Sequence, residues 1–216
     1  MRIDILLYDG FDELDGIGPY EVFDYALGYA ADPDADDAAI EGSPGRVRYV
    51  TLDDRETVTA SHGTRIGIDG VLPEPASEAA PDLLVVPGGG WSARDEDASA
   101  WAEAKKGDVP RALAAYHAPR TRIAAVCTGS ILRAQAGVTH GRPAVTHAAA
   151  IDELRESGAE IVDARVVDDG DLLTAGGVTS GLDLALYLVE REFGSEIADR
   201  VATVIEYERR YEVAAE

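Results

Sequence analysis

Two short runs in this chain, "LLVV" (83–86) and "IAAV" (123–126), are apolar at every position, and "RIDILLY" (2–8) is nearly so. Runs of this length are strands, and a strand with no polar face has to be buried on both sides. Between them lie segments of helical character. Alternating buried strands and helices imply an α/β chain with a mostly parallel sheet covered on both faces. In open sheets of that kind ligands sit beyond the carboxyl ends of the strands. The residues just beyond each run are therefore informative: Asp15 comes after the first, Gly88, Gly89 and Gly90 after the second, and Cys127 directly after the third.

The remaining elements can be read in outline. "GPYEVFDYALGYA" predicts a helix with Gly18 as cap and Pro19 in its first turn. Residues 31–45 are acidic and poor in large apolar side chains, which predicts an exposed loop. "RVRYVTL" reads as a strand and "TVTASHGTRIGID" as a small hairpin. Residues 99–117 are Ala-rich enough for one helix, and 129–136 for a short helix ended by Gly137. "AVTH" leads into a helical "AAAIDELRESG", and "EIVDARVVDDGDLLTAGG" predicts strands around an Asp-Gly turn. Ser180 and Asp183 fit a capping box, and Ser195 a cap for a last helix reaching about Glu208. The length suits one domain over 1–216, with no internal repeat or linker.

Charge narrows the function. There are 41 acidic against 19 basic residues, and the only lysines are Lys105 and Lys106. A surface with a net charge of −22 repels phosphate backbones and anionic lipid, so neither nucleic acid nor membrane is an expected partner. The acids are scattered, as on a solvated, salt-tolerant surface. No run approaches the roughly 20 apolar residues that span a bilayer, and one cysteine makes no internal disulfide; a soluble, cytoplasmic protein is expected. No metal is expected either. Histidines and carboxylates lack zinc-ligand spacing, and "DPDADD" fails as a calcium loop because Asp37 and Ser43 stand where glycine and glutamate are needed.

Cys127 is the residue on which the chemistry turns. It leaves a buried strand and is followed by Thr128, Gly129 and Ser130, which can open a helix, as in a nucleophile elbow without its G-x-S-x-G pattern. A sulfur over a helix N-terminus meets unpaired N–H groups, which lowers its pKa and favours thiolate. Taken alone, a single cysteine is as well explained as a small buried hydrophobe. The "PGGG" loop lacks the Lys-Ser/Thr ending of a phosphate loop. It is a tight turn or, beside a cysteine, a source of N–H donors for a developing anion, with Gly89 and Thr128 as the expected pair. Asp15 is a turn residue or a shielded carboxyl with a raised pKa that shuttles a proton. His147 either faces the site or braces a turn through its backbone. His62, His117 and His140 show no partner spacing.

With these residues in view, the chain resembles the DJ-1/PfpI superfamily, which shares a flavodoxin-like, three-layer fold with class I glutamine amidotransferases. The resemblance is carried by "FDELDGIGPYEVF" (11–23), "DLLVVPGGG" (82–90), "AAVCTGSILRAQAGVTHGRPAVTH" (124–147) and "GDLLTAGGVTSGLDLALYLVE" (170–190), in the family's order. It is nearest to the isonitrile hydratase branch and to related ligand-binding domains of AraC-type regulators. The resemblance implies Cys127 as nucleophile, Asp15 as acid/base and Thr128 as a supporting hydroxyl, acting on a small-molecule substrate without a cofactor, in a homodimer. Two departures matter. Thr128 stands where protease-like members have histidine, which argues against a Cys-His protease. Ala148 stands where isonitrile hydratases have an aromatic residue, so the pocket wall differs. The competing expectations are glyoxalase- or deglycase-like activity on 2-oxoaldehydes, and a non-enzymatic sensor whose cysteine is reversibly oxidised.

Overall fold

The computed structural model describes residues 1–31, 45–117, 121–210 and 213–215. The acidic stretch 32–44, with the rejected calcium loop, lies outside them. In chain order the elements are β1 (Arg2–Leu6), α1 (Glu13–Ala31), β2 (Arg46–Thr51), β3 (Thr57–Thr59), β4 (Arg65–Gly67), β5 (Gly70–Val71) and β6 (Leu83–Val86). Then come α2 (Ala100–Lys106), α3 (Asp108–Tyr116), β7 (Arg122–Val126), α4 (Gly129–Gln135), β8 (Pro143–Ala144), a 3-10 turn over Ala148–Ala150 and α5 (Ile151–Glu156). The last are β9 (Glu160–Ile161), β10 (Val166–Asp169), β11 (Leu172–Ala175), α6 (Ser180–Phe193), α7 (Ser195–Val204) and β12 (Val213–Ala215).

The main sheet has the order β12-β10-β11-β7-β6-β1-β2-β5, and every neighbouring pair is parallel except β10 with β11. Helices α1, α6 and α7 pack together as one layer, and α2 to α5 as the other. This is the expected flavodoxin-like α/β arrangement. The apolar runs sit where double coverage requires: all four residues of β6 and the last four of β7 are buried. The exception in β1 is Asp4, which is paired in register with Arg48 and accepts from its Nε at 2.9 Å and Nη2 at 2.7 Å. A fully buried carboxylate is tolerated there because a forked guanidinium satisfies both oxygens.

Register also positions the site. Val86 pairs with Ala125 and Ala175 with Val126. Gly88 and Gly176 are thereby carried to the level of Cys127 on its two sides, and the pairing of Ile5 with Val85 brings Tyr8 to the level of Gly88.

Several expected boundaries differ. Helix α1 starts at Glu13, with Asp12 Oδ1 accepting from Leu14 N–H at 3.2 Å, so Gly18 is no cap and Pro19 lies inside the helix. Pro19 cannot supply the N–H that the Asp15 carbonyl would ordinarily receive; burial of Val22, Phe23, Ala26 and Leu27 holds the helix regardless. The segment 99–117 is two helices, because Gly107 adopts φ 78° and closes α2 before α3 begins. Asp183 caps nothing: its carboxylate accepts from Arg165 Nε at 2.6 Å, the Tyr207 hydroxyl at 3.1 Å and Arg210 N–H at 3.0 Å, tying down the segment beyond α7. Residue Ser195 is inside α7, whose cap position is Gly194, and that helix stops at Val204. The hairpin β3–β4 and the Asp169-Gly170 turn, with Gly170 at φ 75°, form as expected.

Candidate active site

Cys127 sits at the turn from β7 into α4 with φ 56°, in the left-handed region that a non-glycine residue rarely adopts. The turn is held from three sides. The Cys127 N–H donates to the carbonyls of Ala175 (3.1 Å) and Gly176 (2.9 Å). Its carbonyl accepts from the Thr146 hydroxyl at 2.8 Å and from Ser130 N–H at 3.3 Å. Such over-determination keeps a strained backbone in place at a functional turn.

Asp15, in the first turn of α1, is fully buried next to the sulfur. Its Oδ2 accepts from Gly88 N–H at 3.0 Å, while Oδ1 has no hydrogen-bond partner of good geometry among the described residues. The Cys127 thiol is a second neighbour that supports the carboxylate form. Burial, and secondarily the charge of Asp12, push the Asp15 carboxyl up to about 8 against the help of Gly88 N–H and the thiol. Cys127 is pushed up to about 12, first by burial and then by the Asp15 charge, although the N–H groups of Thr128 and Val178 both reach the sulfur and favour thiolate.

This corrects the expectation of a lowered thiol pKa. Amides do meet the sulfur, but desolvation and a neighbouring carboxyl outweigh them. Burial thus holds both groups toward their protonated forms, and the two titrate as a coupled pair. Such a pair can pass a proton from sulfur to substrate through the carboxyl during attack, instead of keeping a standing thiolate.

The glycine loop is packed against the elbow. A β-carbon on Gly88 would stand 2.4 Å from Thr128 N and 2.5 Å from its Oγ1, so only hydrogen fits there. The N–H of Gly89 donates to Thr128 Oγ1 at 3.0 Å, and that of Gly88 to Asp15. Both glycine amides are thus engaged inside the protein, and Thr128 works as the tie between the two loops. Gly90, at φ 64°, closes the loop. The amides that face the sulfur belong to Thr128 and Val178, while the N–H of Gly89, the other expected donor, is taken up by Thr128 Oγ1.

His147 follows the bracing alternative. Its Nδ1 accepts from Ala149 N–H at 3.0 Å, and its ring lies so close to Gly177 that a β-carbon there would be 2.3 Å from Cδ2. It buttresses the loop that delivers Val178. Three participants are not legible from residue type alone. Val178 is β-branched yet adopts φ 45°, Thr146 anchors the elbow carbonyl, and buried Tyr8 donates to the Pro87 carbonyl at 2.8 Å. Only the position of Thr146 and Val178 at strand ends marks them out. Among the described residues no group of three or more His, Cys, Asp or Glu is placed to hold a metal ion, and no helix is long and apolar enough to cross a membrane.

Residues 1–191 match the model of the DJ-1/PfpI family. The chain belongs to the DJ-1/PfpI family. Within the DJ-1/PfpI family it is 33% identical to an isonitrile hydratase of Pseudomonas putida over 96% of this chain and 78% of that one. It is also 30% identical to a deglycase of Pyrococcus horikoshii over 69% of this chain and 81% of that one. Among solved structures, a THiJ/PfpI family protein from Pseudomonas syringae superposes with a TM-score of 0.77 at 25% identity, covering 97% of this chain and 76% of the other. DJ-1/PfpI membership agrees with the resemblance drawn from the four sequence blocks, including its leaning toward isonitrile hydratases.

Proposed function

We propose that this protein is a cofactor-independent cysteine enzyme that hydrates a small molecule, most concretely an isonitrile to an N-substituted formamide. The observation that carries the reading is the buried Asp15 carboxyl beside Cys127 at a left-handed strand-to-helix turn. An isonitrile carbon carries a lone pair and accepts a nucleophile and a proton at the same atom. Cys127 Sγ forms the C–S bond, and its proton passes through Asp15 to that carbon, giving a thioimidate. Water then adds to the thioimidate carbon; one water proton goes to nitrogen, and the C–S bond breaks as sulfur regains a proton. The net change is one water added. Both steps run through a proton-holding carboxyl, which suits a group whose pKa is raised to about 8.

The reading extends to the whole chain as one catalytic unit working in the cytoplasm, and as a homodimer, as the family resemblance implies. Thr128 directly after Cys127, where protease-like members have histidine, argues against Cys-His protease chemistry. The match to a deglycase favours a second reading, attack of the same sulfur on a 2-oxoaldehyde. Purified protein assayed side by side with an aryl isonitrile and methylglyoxal separates the two. Isonitrile turnover that disappears in Cys127→Ala and falls severely in Asp15→Asn is the expected result. Undiminished turnover in the cysteine variant would remove the mechanism, and turnover of methylglyoxal alone would select the second reading.

A further inference from the structure

We propose that Tyr8 is a positioning residue of this site: its phenol, the Pro87–Gly88 peptide group and the Asp15 carboxyl form one hydrogen-bonded relay that sets where the Asp15 proton resides. The inference rests on the reading of Asp15 as the proton-handling group. Its geometry is independent of that reading. The Tyr8 hydroxyl donates to the Pro87 carbonyl at 2.8 Å, and the N–H on the other side of the same peptide bond, that of Gly88, donates to Asp15 Oδ2 at 3.0 Å. One amide group thus accepts at its oxygen and donates at its nitrogen. Donation to the oxygen polarises the amide and makes its N–H a stronger donor.

The peptide group cannot swing to escape this coupling. Gly88 O accepts from Asp12 N–H at 2.8 Å, and the space where a Gly88 β-carbon would lie is filled by Thr128. Burial is the main reason the Tyr8 phenol stays in its protonated, donating form; its titratable neighbours are Asp15 and Asp12 from the start of α1, Cys127 from the elbow and Glu103 from α2, and any negative charge on them acts in the same sense. Facing Asp15 are Asp12, the Cys127 thiol and the Gly88 N–H. A tyrosine that merely filled space at the end of β1 would need no partner for its hydroxyl at the one carbonyl whose amide carries Asp15.

Removing the phenol weakens the Gly88 N–H as a donor to carboxylate, so Asp15 holds its proton more tightly. The test is the titration of Asp15 by carbon-13 carboxyl NMR in wild-type protein and Tyr8→Phe, with Asp15→Asn identifying the signal. The midpoint moves to higher pH by roughly 0.1–0.5 pH unit, a tenth to a third of one charge-assisted hydrogen bond. In turnover of an aryl isonitrile, the alkaline limb of kcat/KM moves in the same direction. A structural defect would lower kcat without moving that limb. Should Tyr8→Phe fail to fold, 3-fluorotyrosine at position 8, a stronger donor, moves the midpoint to lower pH. An unmoved Asp15 midpoint, or one moving in the opposite sense, overturns the relay. Wild-type protein that turns over no isonitrile while Asp15 shifts as expected overturns the proposed reaction and leaves the relay standing.

Discussion

Asp15→Asn is expected to stabilise the fold while removing the proposed proton transfer, and the size of the effect can be worked from the site. Asp15 is fully buried, and its carboxyl rises from 3.8 to about 8 on folding. A carboxyl with a raised folded pKa costs nothing below its unfolded pKa, where both states are protonated. The cost grows as pH rises from the unfolded to the folded value, because the unfolded chain ionises first. Between 3.8 and pH 7 that cost reaches ~4 kcal/mol at about 1.36 kcal/mol per pH unit. Asparagine never ionises and keeps an acceptor for Gly88 N–H. Allowing ~1 kcal/mol for a less suitable neighbour to the thiol, the net gain at pH 7 is ~3 kcal/mol. With a urea slope of about 1–3 kcal/mol per molar, the unfolding midpoint rises by at least ~1 M. At pH 4 that ionisation cost falls below the ~1 kcal/mol allowance, so the advantage is gone and the variant is marginally the less stable. Cys127, raised to about 12 from 9, contributes only above pH 9 and does not confuse the comparison. Urea unfolding of both proteins at pH 4 and pH 7 decides the matter. A variant that is less stable at pH 7, or whose advantage is the same at both pH values, would refute the reasoning.

Two further perturbations probe the packing around the site. Gly88→Ala would press a methyl onto Thr128 N and Oγ1 at 2.4 and 2.5 Å, and the expected loss is ~1–3 kcal/mol. Thermal unfolding reads it, and an unchanged midpoint would mean that the two loops are not in contact. Arg133 is buried in α4; its Nη1 donates to Ile123 O at 2.7 Å, while Nε and Nη2 have no partner among the described residues, and burial pulls its pKa down to about 9. Arg133→Met should raise the thermal unfolding midpoint, with a gain of ~1–3 kcal/mol, because a buried guanidinium with idle donors costs more than a thioether of similar length. A lower midpoint would show that the arginine is satisfied.

How far the chain can be read without coordinates depends on which force sets each feature. Strands β6 and β7 are legible because double burial writes itself as an unbroken apolar run, and their ends locate Cys127 and the glycine loop. Asp15 is reachable for the same reason, through the geometry of a parallel sheet. Pro19 misleads because local preference places it in a first turn, whereas the buried face of α1 outweighs one lost hydrogen bond. Gly107 breaks a helix that alanine content favours, because its left-handed conformation is available at little cost. The thiol's proton affinity has no readable sign. It balances two amides against burial and a carboxyl from another element, and desolvation has no local signature. Val178 is hidden for a further reason: its φ of 45° runs against the preference of a β-branched residue.

That last residue has a consequence for how such a protein can change. One of the two amides that face the sulfur comes from a distant loop, downstream of Cys127 between β11 and α6. Glycine at 178 would adopt the same backbone without strain, and other neighbours of Gly177 would tilt that amide. The proton affinity of the Cys127 sulfur therefore has a remote dial, one that selection or a mutant library can turn while Cys127, Asp15 and Thr128 stay untouched.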